Sequence, residues 1–101
     1  ILNGCGVPEL AVMYTSFLLS KGFDIFDKNN AKNFNYDETI ILHHRGELER
    51  AIALADIMQI NYNKIIEEKN ESLFFDLTLI LGKDYNQLDS YKEALMYQKP
   101  F

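Results

Sequence analysis

The spacing of hydrophobic residues changes period several times along this chain, and each change marks an element. Leu10, Met13, Tyr14, Phe17 and Leu18 recur at three- and four-residue steps, the spacing of one face of a helix. Pro8 suits the first helical turn, Glu9 complements the helix dipole, and Lys21-Gly22 provides a cationic end and a left-handed stop. Ahead of this helix, residues 1–6 read as the tail of a strand entering a tight turn, because Gly4 and Gly6 flank Cys5. Phe23 and Ile25 alternate with polar neighbours and predict a strand to about Asn29. Residues 29–37 are asparagine-rich and aperiodic, a loop with Phe34 and Tyr36 tucked inward as anchors. Thr39-Ile40-Ile41-Leu42 predicts a short strand buried on both faces. Gly46 opens a second helix, with Leu48, Ile52, Ala55 and Met58 on one stripe and Ala51 and Leu54 beside it. Residues 64–68 suggest an edge strand, its charges blunting an open edge. Residues 77–81 form a stronger strand stopped by Gly82, and Leu88, Tyr91, Ala94 and Leu95 space a third helix over residues 87–97.

The order β-α-β-β-α-(β)-β-(α) predicts an α/β domain of the α+β type: a two-layer sandwich with a mixed four- to five-stranded sheet and two or three helices mainly on one face. The link between the second and third strands is too short for a parallel crossover, so that pair is expected to be antiparallel. If the first two strands run up, the third and fourth run down and the fifth runs up. The loops around residues 3–6, 33–36 and 83–85 then share one edge of the sheet.

At 101 residues the chain is one domain, residues 1–101, and it starts at Ile1 without methionine or a signal-like segment, as a fragment of a longer protein would. Its net charge of −5 repels phosphate backbones and anionic lipid alike, which disfavours generic nucleic-acid binding. Cys5 has no second thiol for a disulfide or a zinc cluster. No apolar run is long enough to span a bilayer.

Among candidate chemistry, Gly4-Cys5-Gly6 between a strand and a helix is similar to a pyrophosphate-cradling turn, yet Glu9 occupies the place of the third glycine and Pro8 lacks an N–H. A tight turn is the simpler reading. His43 and His44 point to opposite faces and cannot share a metal ion, so they read as a solvated strand end. Cys5 lies near a helix start, but no base or orienting group accompanies it in sequence. Glu67, Glu68 and Glu71 read as a solvated edge. No catalytic residue, metal site or cofactor is expected. Lys83-Asp84-Tyr85 places a donor, an acceptor and an aromatic just after a buried strand, either a local ion pair in a turn or a binding group. With Asn3, Gly4, Gly6, Asn33 and Tyr36, these three form the candidate set on the shared edge. That edge is either a structural clasp, since tight loops require Asn and Gly, or a binding surface.

Leu2-Asn3-Gly4-Cys5-Gly6-Val7-Pro8, Gly22-Phe23-Asp24, Asn33-Phe34-Asn35-Tyr36 with Thr39-Ile40-Ile41 behind it, and Leu81-Gly82-Lys83-Asp84-Tyr85 together resemble the C-terminal domain of the LytR cell-envelope-related transcriptional attenuator family. The resemblance covers nearly the whole chain. It departs at Glu9, where the family commonly has glycine after the proline, and at an extra segment, residues 86–98, before Lys99-Pro100-Phe101. It implies a bacterial module outside the cytoplasmic membrane, anchored by an upstream segment, with a cell-envelope protein or glycopolymer as partner. Some relatives carry a catalytic domain that transfers glycopolymers. Its arginine-rich site has no counterpart in a chain holding only Arg45 and Arg50, so no enzymatic role carries over. The function expected is a non-catalytic accessory or interaction module; the alternative is a small-ligand domain binding an anion or glycan through the Gly4-Gly6 turn and the Lys83-Tyr85 loop.

Overall fold

The computed structural model describes residues 1–98; Lys99-Pro100-Phe101 lies outside the described residues. Helix α1 (Leu10–Ser20) buries every residue of the expected stripe, together with Ala11 and Thr15. It starts two residues after Pro8 because Glu9 sits in the left-handed region, at φ 66°, and its carbonyl accepts from Met13 N at 3.0 Å. At the other end Gly22 takes φ 91°, which lets Phe23 N reach back to Leu18 O at 3.1 Å and closes the helix.

Five strands form one mixed sheet: β1 (Leu2–Asn3), β2 (Asn29–Asn30), β3 (Ile40–His43), β4 (Ile65–Glu67) and β5 (Leu77–Leu81), in the spatial order β2-β1-β5-β3-β4. β1 is parallel to both β2 and β5, β3 is antiparallel to β5, and β4 is parallel to β3. All five directions are those the connection lengths predicted. β2 and β3 do oppose each other in direction, but they are not a pair, since β1 and β5 lie between them. The chain leaves one edge of the sheet and crosses two strand ends to reach the other side.

Ile41, Leu79 and Leu81 project from one face of the sheet into a core shared with α1 and with helix α2 (Leu48–Met58). The opposite face carries buried Ile80 with half-buried Leu2, Ile40 and Leu42, so β3 is fully buried on one face only. α2 buries Ala51, Leu54, Ala55 and Met58, while Leu48 is 47% exposed; the helix is rotated about its axis from the expected stripe. In place of a continuous third helix there is a short α3 (Tyr91–Ala94) between 3-10 turns at Tyr85–Gln87 and Leu95–Tyr97. This segment closes the core: Tyr97 packs edge-on to Phe17 at 6.0 Å, and the Tyr14 hydroxyl meets Ser90 Oγ at 3.4 Å. Burial pushes the Tyr14 pKa up, and the Ser90 hydrogen bond opposes that shift.

A side chain held in the left-handed region costs about 1–2 kcal/mol relative to glycine. Glu9→Gly is therefore expected to raise the unfolding free energy by about 1 kcal/mol, measured by urea denaturation. An unchanged or lower value would show that Glu9 gains compensating contacts.

Candidate functional site

Asn3 organises the turn between β1 and α1. Its side chain is buried, with Oδ1 accepting from Cys5 N at 3.1 Å and Gly6 N at 3.0 Å, and Nδ2 donating to Val7 O at 2.7 Å. The backbone N–H groups that would have to face an anion are thus already taken by the protein's own amide. Cys5 is half-buried with Sγ 3.5 Å from the same Asn3 oxygen.

Above this turn, residues 31–39 cross the ends of β1 and β5. Tyr36 joins the two strand ends through its backbone, donating from N to Gly4 O at 3.2 Å and accepting at O from Lys83 N at 2.8 Å. Gly4 N in turn donates to Leu81 O at 2.8 Å. Close approach explains both strand-ending glycines. A Cβ on Gly4 would lie 2.8 Å from the Tyr36 ring, and one on Gly82 would lie 2.3 Å from the backbone carbonyl carbon of Glu38. Thr39, fully buried, completes the joint: its N and Oγ1 both donate to Asp84 Oδ1, at 2.9 and 2.7 Å, while its Oγ1 accepts from Gly82 N at 3.1 Å.

The expected convergence of the three loops is therefore seen in the geometry, although their residues do different things. Asn3, Gly4, Tyr36, Lys83 and Asp84 interlock, and Gly6 lies under the Phe34 ring, at φ 78°. Phe34 itself is 45% exposed rather than tucked inward, because Gly6 offers a shallow rest and no enclosing pocket. Asn33 serves only its own loop, accepting from Asn35 N at 2.9 Å. Lys83 projects to solvent with Nζ 3.9 Å from Asp37. Tyr85 turns inward against the core, edge-on to Tyr91 at 5.4 Å. Thr39, which the sequence reading treated only as a strand residue, is central to the joint; a polar β-branched residue at the head of an apolar run was the available signal.

The model of the family described as LytR cell envelope-related transcriptional attenuator matches residues 1–85. The chain belongs to this family. Comparison with curated proteins and with solved structures returned no match. The LytR-family match spans every strand and both long helices and stops at Tyr85. The residues beyond it nevertheless belong to the fold, since Ala94 is buried in the shared core. The domain is thus a cell-envelope-related one. Among its described residues no helix is long and apolar enough to cross a membrane.

A second polar cluster of this LytR-family domain corrects the expectation of a solvated strand end. His43 and His44 are both buried, on opposite faces of β3. His44 Nδ1 lies 2.9 Å from Glu68 O and its Nε2 2.7 Å from Thr78 Oγ1. His43 faces acceptors on both sides, with Nδ1 at 2.6 and 2.9 Å from the Glu67 carboxylate and Nε2 at 3.1 Å from Gly46 O. A neutral imidazole has one N–H, so only the imidazolium donates to both. The hydrogen bond that His43 donates to Glu67 raises the His43 pKa, against the opposing effect of burial. Glu67 and Glu68 remain exposed, but they tie β4 to β3 rather than merely coating an edge.

Because the folded pKa of His43 is raised, its stabilising contribution is complete below the unfolded value of about 6.5 and is lost as pH rises through the folded value. Unfolding free energy measured across that window should decline with rising pH, and Glu67→Gln should flatten the decline. Equal slopes in the two proteins would contradict the pairing.

Proposed function

We propose that the domain is a non-catalytic accessory module of the bacterial cell envelope, acting outside the cytoplasmic membrane and recognising an envelope protein or glycopolymer through its loop-bearing edge. The observation that carries this reading is how the polar groups at that edge are used. Asn3, Thr39 and Asp84 direct their side chains to partners inside the joint, whereas Phe34, Lys83 and Asp37 face solvent. Such an edge offers contact surface, with an apolar ring beside charges of both signs, and holds its reactive-looking groups in structural bonds. Family membership supports the envelope context. The anion-binding alternative loses support because the Cys5 and Gly6 N–H groups are occupied by Asn3.

In the intact protein, Phe34→Ala combined with Lys83→Ala should leave the melting temperature within about 2 °C, as expected for exposed positions, while retention on isolated cell envelopes falls about tenfold. The domain should also be cleaved by protease added to intact protoplasts. Protection until lysis would contradict the location, and undiminished retention of the double variant would contradict the contact edge.

A further inference from the structure

Strand β4 ends the sheet, and among the described residues nothing pairs with its outer side. Glu68 N donates inward to His43 O at 2.9 Å, and strand alternation aims the peptide groups of Ile66 the same way. Those of Ile65 and Glu67 therefore face outward. The Ile65 N–H is already given to Tyr62 O in the 3-10 turn Tyr62–Lys64, which leaves Ile65 O and both Glu67 groups open. An open edge of this kind is a template for another strand, and its side chains decide which strand it accepts.

Ile65 packs on the core and Glu67 on His43, so positions 64, 66 and 68 share the opposite, helix-free face of the sheet, where Glu68 lies beside His44. Along the strand that face reads Lys64, Ile66, Glu68: positive, apolar and 45% exposed, negative. Such a row complements itself when reversed. Antiparallel pairing about a two-fold axis at Ile66 sets Ile66 against its own mate and each Lys64 opposite the Glu68 of the other copy. In the same register each Glu67 N–H meets the open Ile65 O of the other copy. An axis at Glu67 would set two carboxylates face to face, and one at Ile65 would need the N–H that the turn has taken.

We propose that β4 is a self-association edge, through which two copies of this chain pair antiparallel over residues 64–68 and join their sheets into one. Lys64 pairs with Glu38 within its own chain, and the Glu38 side chain is exposed; a surface pair of this kind yields to a second carboxylate at small cost. The net charge of −5 opposes approach, but at physiological salt it is screened beyond about 8 Å, so contacts within the row decide. The charges of β4 thus select a partner strand in addition to blunting the edge.

Cysteine capture tests this in the intact protein. A mild oxidant should trap Ile66→Cys as a covalent dimer about tenfold faster than Leu48→Cys, a comparably exposed position away from the edge, because a pair across the two-fold axis lies within disulfide reach. Half-buried Cys5 is common to all variants. In the Ile66→Cys background, Lys64→Glu or Glu68→Lys should each slow capture about tenfold, by setting like charges opposite each other at both ends. Mixing the two charge variants should restore capture between unlike chains, since every facing pair is then opposite in sign. Equal rates for Ile66→Cys and Leu48→Cys would overturn the proposal, and so would charge variants that fail to recover on mixing. A Glu67 amide that resists exchange at any dilution would also overturn it, by assigning the edge to a different strand.

Discussion

The route of the chain from the edge strand β2 across two strand ends to β3 constrains everything at the upper end of this domain. β2 and β3 are separated by β1 and β5, a distance of about 14 Å at normal strand spacing. Residues 31–39 bridge it across the strand ends, with the Tyr36 backbone bonded to Gly4 and Lys83 on the way. The crossing segment passes so close that a side chain at Gly82 would overlap its backbone at Glu38 and one at Gly4 would overlap the Tyr36 ring. The crossing thus explains Gly82, and together with the neighbouring strand β5 it explains Gly4. It also explains the buried polar pair: Thr39 meets Asp84 where the crossing ends and β3 begins, and satisfies the amide of Gly82 beneath it.

Much of this was legible in the sequence, because periodicity and connection length are local properties. The buried stripe of α1 follows from residues spaced along one helix, and the strand directions follow from whether a link can hold a crossover helix. What escaped depended on partners far along the chain. Residues 23–29 alternate as a strand does, yet alternation reports two environments rather than a ladder partner, and only Asn29–Asn30 is paired. His43 and His44 looked solvent-facing because the groups that bury and satisfy them come from β4 and β5, many residues downstream. The loop convergence was legible from directions alone. The assignment of Thr39 to Asp84 was not, since nothing local marks one threonine as the partner of a given carboxylate.

The same geometry bears on how the glycine turn of this family member is understood. A turn between strand and helix with two glycines invites comparison with anion cradles, but here Asn3 supplies an acceptor to the amides of Cys5 and Gly6 from within the chain. The turn is satisfied by the protein and holds α1 at a fixed angle to β1. The side chains that the joint leaves exposed are chiefly Phe34, Lys83 and Asp37, and the proposed contact edge rests on these. A rigid edge presenting a few exposed side chains suits an interaction module, whereas the polar groups that could support chemistry are held in place by bonds to their neighbours.

The loop edge is a structural joint built on Thr39 and Asp84. A double-mutant cycle with Thr39→Val and Asp84→Ala, read as unfolding free energy, measures it most directly. Thr39→Val removes the hydroxyl hydrogen bond to the partly buried Asp84 carboxylate and leaves the backbone one, and that single bond predicts a coupling of about 1–3 kcal/mol. Additive effects, with a coupling near zero, would show that the two residues act independently and that the edge is held by something else.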